Sequence, residues 1–178
     1  MITQKICMLG SFSVGKTSLV RRFVERIFFD KYHTTIGVKV DKKTVPVNNT
    51  PVELALWDIY GEDDYQKVKM MYLRGMHGYL LVVDGTRRQT LDVALALNDK
   101  VTQTIRDVPF VLLLNKCDLA DQWEIEPDTD KTYAAKGWQV LRTSAKTGEN
   151  VDEAFSQLSL AMLAKMNSTS SPGESRST

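Results

Sequence analysis

The chain has 178 residues, of which 43% are hydrophobic and 25% are charged. A chain of this length forms one compact domain that buries roughly 70% of the surface exposed when it is unfolded. Its 23 Lys and Arg side chains nearly balance 22 Asp and Glu side chains, and this balance argues against nucleic acid or an anionic membrane surface as a partner.

Short apolar runs alternate with segments of helical periodicity along the chain. The runs predict strands at residues 6–9, 38–47, 52–57, 79–83, 110–114 and 140–141. Apolar residues at helical spacing predict helices over residues 19–27, 91–101 and 151–162, the last preceded by Asn150 as a candidate N-cap with Glu153 three residues on. The turn VNNTP between the second and third strands predicts an antiparallel hairpin. The expected fold class is α/β, with a six-stranded, mostly parallel sheet, one antiparallel strand and helices on both faces.

The last twelve residues, NSTSSPGESRST, are polar and contain a Pro-Gly pair. This composition predicts a globular domain over residues 1–166 and a disordered tail over residues 167–178. The two cysteines, Cys7 and Cys117, lie in apolar or motif segments and favour a reducing compartment, and no apolar run approaches ~18 residues. We therefore expect a cytoplasmic protein without a transmembrane segment.

The stretch GSFSVGKT, residues 10–17, lies between the first strand and the first helix. A Gly-rich turn at this position directs backbone N–H groups toward phosphate oxygens, backed by the positive end of the helix. Lys16 would then reach the β- and γ-phosphates of a nucleotide, and the Thr17 hydroxyl would ligate Mg²⁺. The other expected phosphate contacts are Ser13, Val14, Gly15 and Ser18. The alternative for this stretch is a surface loop that merely contains glycines.

The stretch NKCD, residues 115–118, follows the fifth strand and bears on the choice of base. Guanine presents N1–H and its 2-amino group as adjacent donors, and the Asp118 carboxylate can accept both, whereas adenine offers no such pair. Asn115 would hydrogen-bond the other edge of the base and tie the loop together, and the stem of Lys116 would lie against the ring. Taken by itself, NKCD is also compatible with an ordinary polar turn after a strand.

The stretch TSAKTG, residues 143–148, ends the sixth strand and contains Ser144. The backbone N–H of Ala145 would bind guanine O6, and Lys146 would cover the other face of the base. With the phosphate loop, WDIYG, NKCD and SAK in this order, the chain resembles the Ras superfamily of small GTPases over nearly all of residues 1–166. It is most similar to the Rab branch, through TTIGV at residues 34–38 and YLRGMHG at residues 72–78. The resemblance implies a three-layer P-loop NTPase G domain that binds GTP or GDP with Mg²⁺.

The resemblance also implies roles for single residues near the nucleotide. Thr35 would ligate Mg²⁺ and donate its N–H to the γ-phosphate, Tyr32 would lie over the phosphates, and Phe28 would stack near the base. Asp58 would hold Mg²⁺ through a water molecule, and the Gly61 N–H would contact the γ-phosphate. Loss of that phosphate would release both loops. The alternatives from the residues alone are a core position for Phe28 and a plain surface position for Tyr32.

The stretch DIYGE, residues 58–62, departs from the family pattern Asp-Thr-Ala-Gly-Gln. Glu62 stands where, in Ras, a Gln orients the attacking water. A carboxylate can accept a hydrogen bond from water, but it cannot donate one to the developing oxyanion, and it adds negative charge beside the γ-phosphate. Phe12 and Ser13 stand where the family prefers small residues, and the bulk of Phe12 would obstruct an arginine finger. Tyr60, in place of a small Ala, would either add to this crowding or cover the phosphates itself. We expect slow hydrolysis that responds poorly to arginine-finger activators, with a catalytic set of Glu62, Lys16, Gly61 and Thr35.

Three functions remain open on the sequence. The first is a monomeric regulatory GTPase that contacts an exchange factor, an activating protein and effectors through switch I (residues 30–38) and switch II (residues 59–73). The second is a GTP-binding interaction module with little or no hydrolysis, because Glu62 replaces the water-positioning Gln. The third, a P-loop enzyme such as a nucleotide kinase, lacks an acceptor-binding lid and conflicts with the guanine motifs. Residues 167–178 contain no cysteine for prenylation, so we expect peripheral membrane association only through a missing or an alternative tail signal.

Overall fold

The computed structural model describes residues 1–30, 37–59, 70–105 and 107–169. Within these ranges six strands form one sheet in the order β2-β3-β1-β4-β5-β6. The strands are β1 (Ile2–Leu9), β2 (Val38–Val47), β3 (Thr50–Ile59), β4 (Gly78–Asp84), β5 (Phe110–Asn115) and β6 (Gln139–Thr143). The pair β2–β3 is antiparallel and the other neighbouring pairs are parallel. The predicted fold class and the predicted hairpin are therefore confirmed.

The hairpin turn is made by Asn48 and Asn49, with φ values of 47° and 61°. A two-residue turn with both φ values positive matches the twist of the strands that it joins, and Asn tolerates this conformation better than most residues. The turn in VNNTP is therefore specified by residue type.

The helices are α1 (Lys16–Glu25), α2 (Met70–Leu73), α3 (Gln89–Thr104), α4 (Thr129–Ala134) and α5 (Val151–Thr169), and Cys117–Gln122 forms a short 3₁₀ helix. Helix α1 ends earlier than its apolar pattern predicts, because Arg26 adopts a left-handed φ of 62° and Ile27 is exposed. Helix α5 continues through Asn167 to Thr169, past the predicted domain boundary at residue 166. The remaining tail lies outside the described residues.

Two hydrophobic clusters lie on the two faces of the sheet. One joins β1, β3 and β4 to α1 and α5, and in it the rings of Phe23 and Phe155 stack 4.0 Å apart. The other joins the opposite face to α3 and includes Tyr79, whose ring centroid lies 5.1 Å from that of Phe110. Strand β4 is buried along its whole length, as expected for a central parallel strand covered on both faces. Helices therefore cover both faces of the sheet, as predicted.

A polar pair lies inside the first cluster, where α5 packs on β1. The Ser159 hydroxyl donates to Gln4 Oε1 at 2.6 Å, and Gln4 Nε2 donates to the Ser159 carbonyl at 3.3 Å. Both residues have 0% exposure. Because the Gln4 amide bonds both the hydroxyl and the backbone carbonyl of Ser159, this buried pair fixes the position of α5 on β1.

Candidate nucleotide-binding site

The predicted site residues gather at one edge of the sheet. Strands β1, β4, β5 and β6 are parallel neighbours, so the loops that follow them leave from the same edge. In open α/β sheets ligands bind at the carboxyl ends of the strands. The glycine-rich loop follows β1, whereas NKCD and TSAKTG follow β5 and β6. The topology therefore brings the three predicted motifs together.

Two glycines of the loop at residues 10–15 are required by its close approach to neighbouring strands. Gly10 has φ 147°, and a Cβ there would lie 2.4 Å from the carbonyl oxygen of Val82 in β4. Gly15 has φ 106°, and a Cβ there would lie 2.3 Å from Nδ2 of Asn115 at the end of β5. A larger residue at position 10 would clash with the backbone of β4, and one at position 15 would displace the Asn115 amide that bonds the loop.

Lys16 opens helix α1 with its ammonium group folded back onto the loop. Its Nζ donates to the carbonyl of Gly10 at 3.0 Å and to that of Ser11 at 2.7 Å, and the residue is only 6% exposed. These bonds hold a positive charge over the loop. Thr17 and Ser18 follow in the first helical turn, where the backbone N–H groups have no acceptor within the helix. The Lys16 ammonium and the first N–H groups of α1 therefore lie together at the end of this loop, and their contact with phosphate stays a prediction.

Three successive carbonyls of the loop accept hydrogen bonds from side chains outside it. The bonds are Arg87 Nη2 to Phe12 O at 2.7 Å, Lys116 Nζ to Ser13 O at 3.4 Å, and Asn115 Nδ2 to Val14 O at 2.9 Å. In a trans peptide the C=O and the following N–H point in opposite directions. The N–H groups of residues 13–15 are therefore turned away from these side chains. Successive N–H groups oriented in this way form an anion-binding concavity.

Asp84, the last residue of β4, anchors two of these side chains. Its Oδ2 accepts from Lys116 Nζ at 2.7 Å and from Arg87 Nε at 2.9 Å, whereas Oδ1 accepts from the Thr86 N–H and hydroxyl. Burial alone would raise the pKa of Asp84, but the hydrogen bonds from Lys116, Thr86 and Arg87 outweigh it and keep the pKa below its usual value. The carboxylate therefore stays ionised inside the protein.

Neither Asp84 nor Arg87 is predicted as a site residue from the sequence. Neither belongs to a motif with a phosphate or guanine role. A carboxylate at the carboxyl end of a buried strand, with Arg three residues later, was the one available signal.

The guanine motifs at the ends of β5 and β6 are joined by side-chain hydrogen bonds. The Ser144 hydroxyl donates to Asp118 Oδ1 at 2.6 Å, and the Thr143 hydroxyl donates to Asn115 Oδ1 at 3.1 Å. Asn115 thus links the phosphate loop to β6 through its two side-chain atoms, and Asp118 is oriented by the neighbouring loop. The structure brings Asn115, Asp118 and Ser144 together, and their contacts with a base stay predictions.

Arg22 of helix α1 binds the backbone of the TSAKTG segment. Arg22 Nε donates to the carbonyl of Ala145 at 2.7 Å, and Arg22 Nη2 donates to the carbonyl of Lys146. The Lys146 ammonium lies 3.8 Å from a carboxylate oxygen of Asp30. No motif in the sequence indicates this role for Arg22, because the contact joins residues more than one hundred positions apart.

Trp123 supports the NKCD loop from outside. Its indole Nε1 donates to the Lys116 carbonyl at 2.9 Å, and Lys116 adopts a left-handed φ of 69°. The indole lies over Gly85, where an added Cβ would be 2.2 Å from the ring. The Arg142 guanidinium lies over the same ring, 5.3 Å from its centroid. The Trp123 ring can therefore bond the NKCD loop only because residue 85 has no side chain.

The two predicted Mg²⁺ ligands within the described residues are in direct contact. The Thr17 hydroxyl donates to Asp58 Oδ2 at 2.6 Å, although the residues belong to α1 and β3. Asp58 is 1% exposed. A hydroxyl oxygen and a carboxylate oxygen side by side are the donor types that a hard divalent cation prefers. The residues present fit Mg²⁺.

Several sequence predictions concern residues for which less can be said. Tyr32, Thr35, Tyr60, Gly61 and Glu62 lie outside the described residues, so their roles remain predictions. Phe28 is half-buried and packs against the cluster that contains α1 and α5. This contact accords with the core alternative, and stacking of Phe28 on the base also remains a prediction.

The surface next to the switch segments is only partly apolar. Val40 of β2 is 43% exposed and pairs with Trp57 of β3. The Lys5 ammonium covers the Trp57 ring at 3.7 Å from its centroid. Met71 in α2 is 70% exposed, whereas Tyr72 is half-buried. This face therefore presents a small apolar area flanked by a cation.

A glycine-rich loop between strand and helix, a Thr–Asp oxygen pair and two joined guanine motifs define the class of protein as a P-loop small G protein. Residues 5–164 match the Ras family. The chain belongs to that family. No helix within residues 1–30, 37–59, 70–105 and 107–169 has the length and apolar character needed to cross a bilayer.

The chain is similar to GTP-binding protein YPTM1 of Zea mays, with 34% identity over 160 residues that cover 89% of this chain and 77% of the relative. It is 33% identical over 171 residues to Ras-related protein RABD2c of Arabidopsis thaliana, covering 95% and 85% of the two chains. Ras-related protein Rab-1 of Theileria parva is 33% identical over 165 residues, covering 91% and 75%. The predicted resemblance to Rab-like members of the Ras superfamily is confirmed.

Proposed function

We propose that this protein is a guanine-nucleotide switch that binds GTP and GDP with Mg²⁺ and slowly hydrolyses GTP. Membership of the Ras family supports the general class. The observation that carries the finer proposal is the set of hydrogen bonds joining the phosphate loop to both guanine motifs through Asn115, which contacts Val14 and Thr143. Base recognition and phosphate recognition are thereby built into one hydrogen-bonded unit.

Selectivity for guanine rests on Asp118 in this proposal. Its Oδ1 accepts the Ser144 hydroxyl, which fixes the plane of the carboxylate before any nucleotide arrives. An ionised carboxylate accepts hydrogen bonds but donates none, so it favours the paired N–H donors of guanine over the edge of adenine. The Ser144 hydroxyl in turn accepts the N–H of Thr147 at 3.0 Å. The acceptor is thus held by a chain of hydrogen bonds.

Phosphate binding rests on the residues of the loop and α1. The Lys16 ammonium and the N–H groups of residues 13–15 provide fixed positive ends, which stabilise the charge of a diphosphate or triphosphate without reorganisation. Thr17 and Asp58 would hold Mg²⁺ at the edge of this site. Bound Mg²⁺ neutralises charge on the β- and γ-phosphate oxygens.

The switch itself rests on residues 30–38 and 59–73. We propose that Thr35 and Gly61 close over the γ-phosphate and that Tyr32 covers the phosphates, so that loss of this group releases both segments. An exchange factor, an activating protein and effectors would bind these segments together with the apolar area around Val40. The monomeric state of the protein is part of this proposal.

A reducing, cytoplasmic setting fits the two thiols. Both Cys7 and Cys117 are free. Burial raises the pKa of the Cys7 thiol to about 12, with the nearby Lys5 opposing this effect. Burial and the neighbouring Glu149 carboxylate raise the pKa of Cys117 to about 11. Both thiols are thus poor nucleophiles at neutral pH, which supports structural roles for them.

Single-turnover hydrolysis of GTP with Mg²⁺, comparing the natural protein with Glu62→Gln, tests the catalytic half of the proposal. We expect slow hydrolysis by the natural protein and faster hydrolysis by the variant, because Gln can donate to the developing oxyanion and carries no charge. Glu126→Gln, which removes an exposed carboxylate elsewhere, is the matched control and should leave the rate unchanged.

The opposite result would revise the assignment. Ready hydrolysis by the natural protein, slowed by Glu62→Gln, would mean that Glu62 positions the water and that slow hydrolysis is wrong. Nucleotide binding is measured separately, by displacement of a fluorescent GDP analogue with GDP or ADP. Equal displacement by ADP would contradict guanine selectivity.

A further inference from the structure

We propose that Arg87 is a positioning residue of the phosphate loop, which holds the Phe12 carbonyl outward so that the Ser13 N–H faces the β-phosphate. The inference rests on the proposed nucleotide binding and extends it to a residue outside the sequence motifs. Arg87 lies just after β4, in a segment that belongs to neither the phosphate loop nor the guanine motifs.

The geometry of the Arg87 side chain carries this inference. Its Nη2 donates to Phe12 O at 2.7 Å, and its Nε donates to Asp84 Oδ2 at 2.9 Å. A planar guanidinium with both ends engaged has a fixed orientation. Because the Phe12 carbonyl and the Ser13 N–H belong to one trans peptide, fixing the carbonyl direction also fixes the N–H direction.

Asp84 makes Arg87 part of a larger arrangement. The same Oδ2 atom accepts Lys116 Nζ at 2.7 Å, and Lys116 reaches the next carbonyl of the loop, that of Ser13. One fully buried carboxylate therefore aims two cations at two adjacent peptide groups. Lys116 belongs to the guanine motif, whereas Arg87 contacts the phosphate loop without touching the guanine motif itself.

The peptide held by Arg87 is also one that needs external support. Ser13 has φ 61°, a left-handed conformation that is unfavourable for a residue with a side chain. Without the bond to Arg87, the peptide between Phe12 and Ser13 has less to prevent it from turning over. Turning would point a carbonyl, instead of an N–H, toward an anionic ligand.

The test compares the affinities of GDP and GMP for the natural full-length protein and for Arg87→Gln. GMP shares the base, ribose and first phosphate with GDP but lacks the β-phosphate. Since a hydrogen bond from a charged group contributes about 1.5–3 kcal/mol and 1.4 kcal/mol is a factor of ten, we expect GDP affinity to fall about tenfold or more. GMP affinity should remain within about twofold. Arg87→Lys should lie between the natural protein and Arg87→Gln, because Lys keeps one donor but loses the second contact.

Arg88→Gln is the matched control, because Arg88 pairs with Asp92 on the surface, where the two side chains are 50% and 64% exposed. It should change neither affinity, and thermal melting would show that each variant is folded. Unchanged GDP affinity in Arg87→Gln, or an equal loss of GDP and GMP affinity, would overturn the positioning role. Failure of the natural protein to bind GDP would instead overturn the proposed function, and this inference with it.

Discussion

At the scale of single residues, the backbone of the phosphate loop combines one strained position with many external restraints. Ser13 has φ 61°, whereas the neighbouring positive φ values at Gly10 and Gly15 belong to glycines. The left-handed region costs a residue with a Cβ roughly 1–2 kcal/mol. The loop therefore carries strain at a position where glycine would remove it.

Ser13→Gly should relieve backbone strain of about 1 kcal/mol, and the greater freedom of glycine in the unfolded chain offsets part of this gain. We therefore expect the free energy of unfolding to rise by less than about 1 kcal/mol. Urea denaturation without nucleotide measures the change. The same substitution at Ser156, an exposed position within α5, should instead lower stability by about 0.5 kcal/mol, since glycine is a poor helix former. A loss of stability in Ser13→Gly equal to that control would show that no strain is relieved.

At this scale the sequence nominates a site residue where a motif names both the residue and its chemistry, and the roles assigned in this way stay predictions. Lys16, Asn115 and Asp118 follow from the donors and acceptors of phosphate and guanine. Arg87 and Arg22 could not be found in this way, because each acts on a carbonyl oxygen, a group that every residue carries. Their partners are decided by the packing of distant segments.

At the scale of secondary structure, the polar pair between β1 and α5 links the first and last elements of the chain. Gln4 and Ser159 are completely buried and bonded to each other twice. The hydrophobic pattern of α5 predicts a helix. It does not predict that Ser159 lies on the buried face or that its partner is Gln4.

Ser159→Ala should lower the free energy of unfolding by about 1–3 kcal/mol, because it leaves the buried Gln4 Oε1 without its donor. Ser156→Ala removes the same hydroxyl from an exposed position of the same helix, and surface substitutions of this kind stay within about 0.5 kcal/mol. Urea denaturation of both variants gives the comparison. A loss in Ser159→Ala no greater than in the control would mean that the pair contributes little.

Element prediction failed for short elements and at helix ends. Helix α4 spans 6 residues, which is less than two helical turns, so its apolar residues cannot show a helical period. Helix α1 ends at the left-handed Arg26, where the sequence has no Gly, Asn or Pro that would predict a helix end. Long periodic segments such as α5 were predictable, because burial of one face determines their pattern.

At the scale of the whole molecule, the site is assembled from loops that follow four strands, and its parts are held together by side chains that cross between them. Alternating strands and helices predicted the parallel sheet and, with it, the edge where those loops meet. The hydrogen bonds that connect the loops depend on tertiary packing. A ligand that contacts all of them at once should therefore stabilise the entire fold.

GDP with Mg²⁺ at about 1,000 times its dissociation constant should raise the unfolding free energy by about 4 kcal/mol, and the melting temperature by about 8–16 °C. Chelation of Mg²⁺ should remove a large part of this shift, because Thr17 and Asp58 lose the cation between them and the phosphates. ADP at the same concentration serves as the control and should have little effect. A similar shift with ADP would contradict the guanine assignment.

The indole of Trp123 has a spectroscopic consequence. It is hydrogen-bonded to the backbone of Lys116, seated on Gly85 and covered by Arg142. An indole in such surroundings changes its emission when the polarity or the position of the adjacent loop changes. Trp123 is one of three tryptophans in the chain, and it lies beside the loop that is expected to bind the base. If that loop binds nucleotide as proposed, arrival and departure of nucleotide should change the Trp123 contribution to the emission of the unlabelled chain.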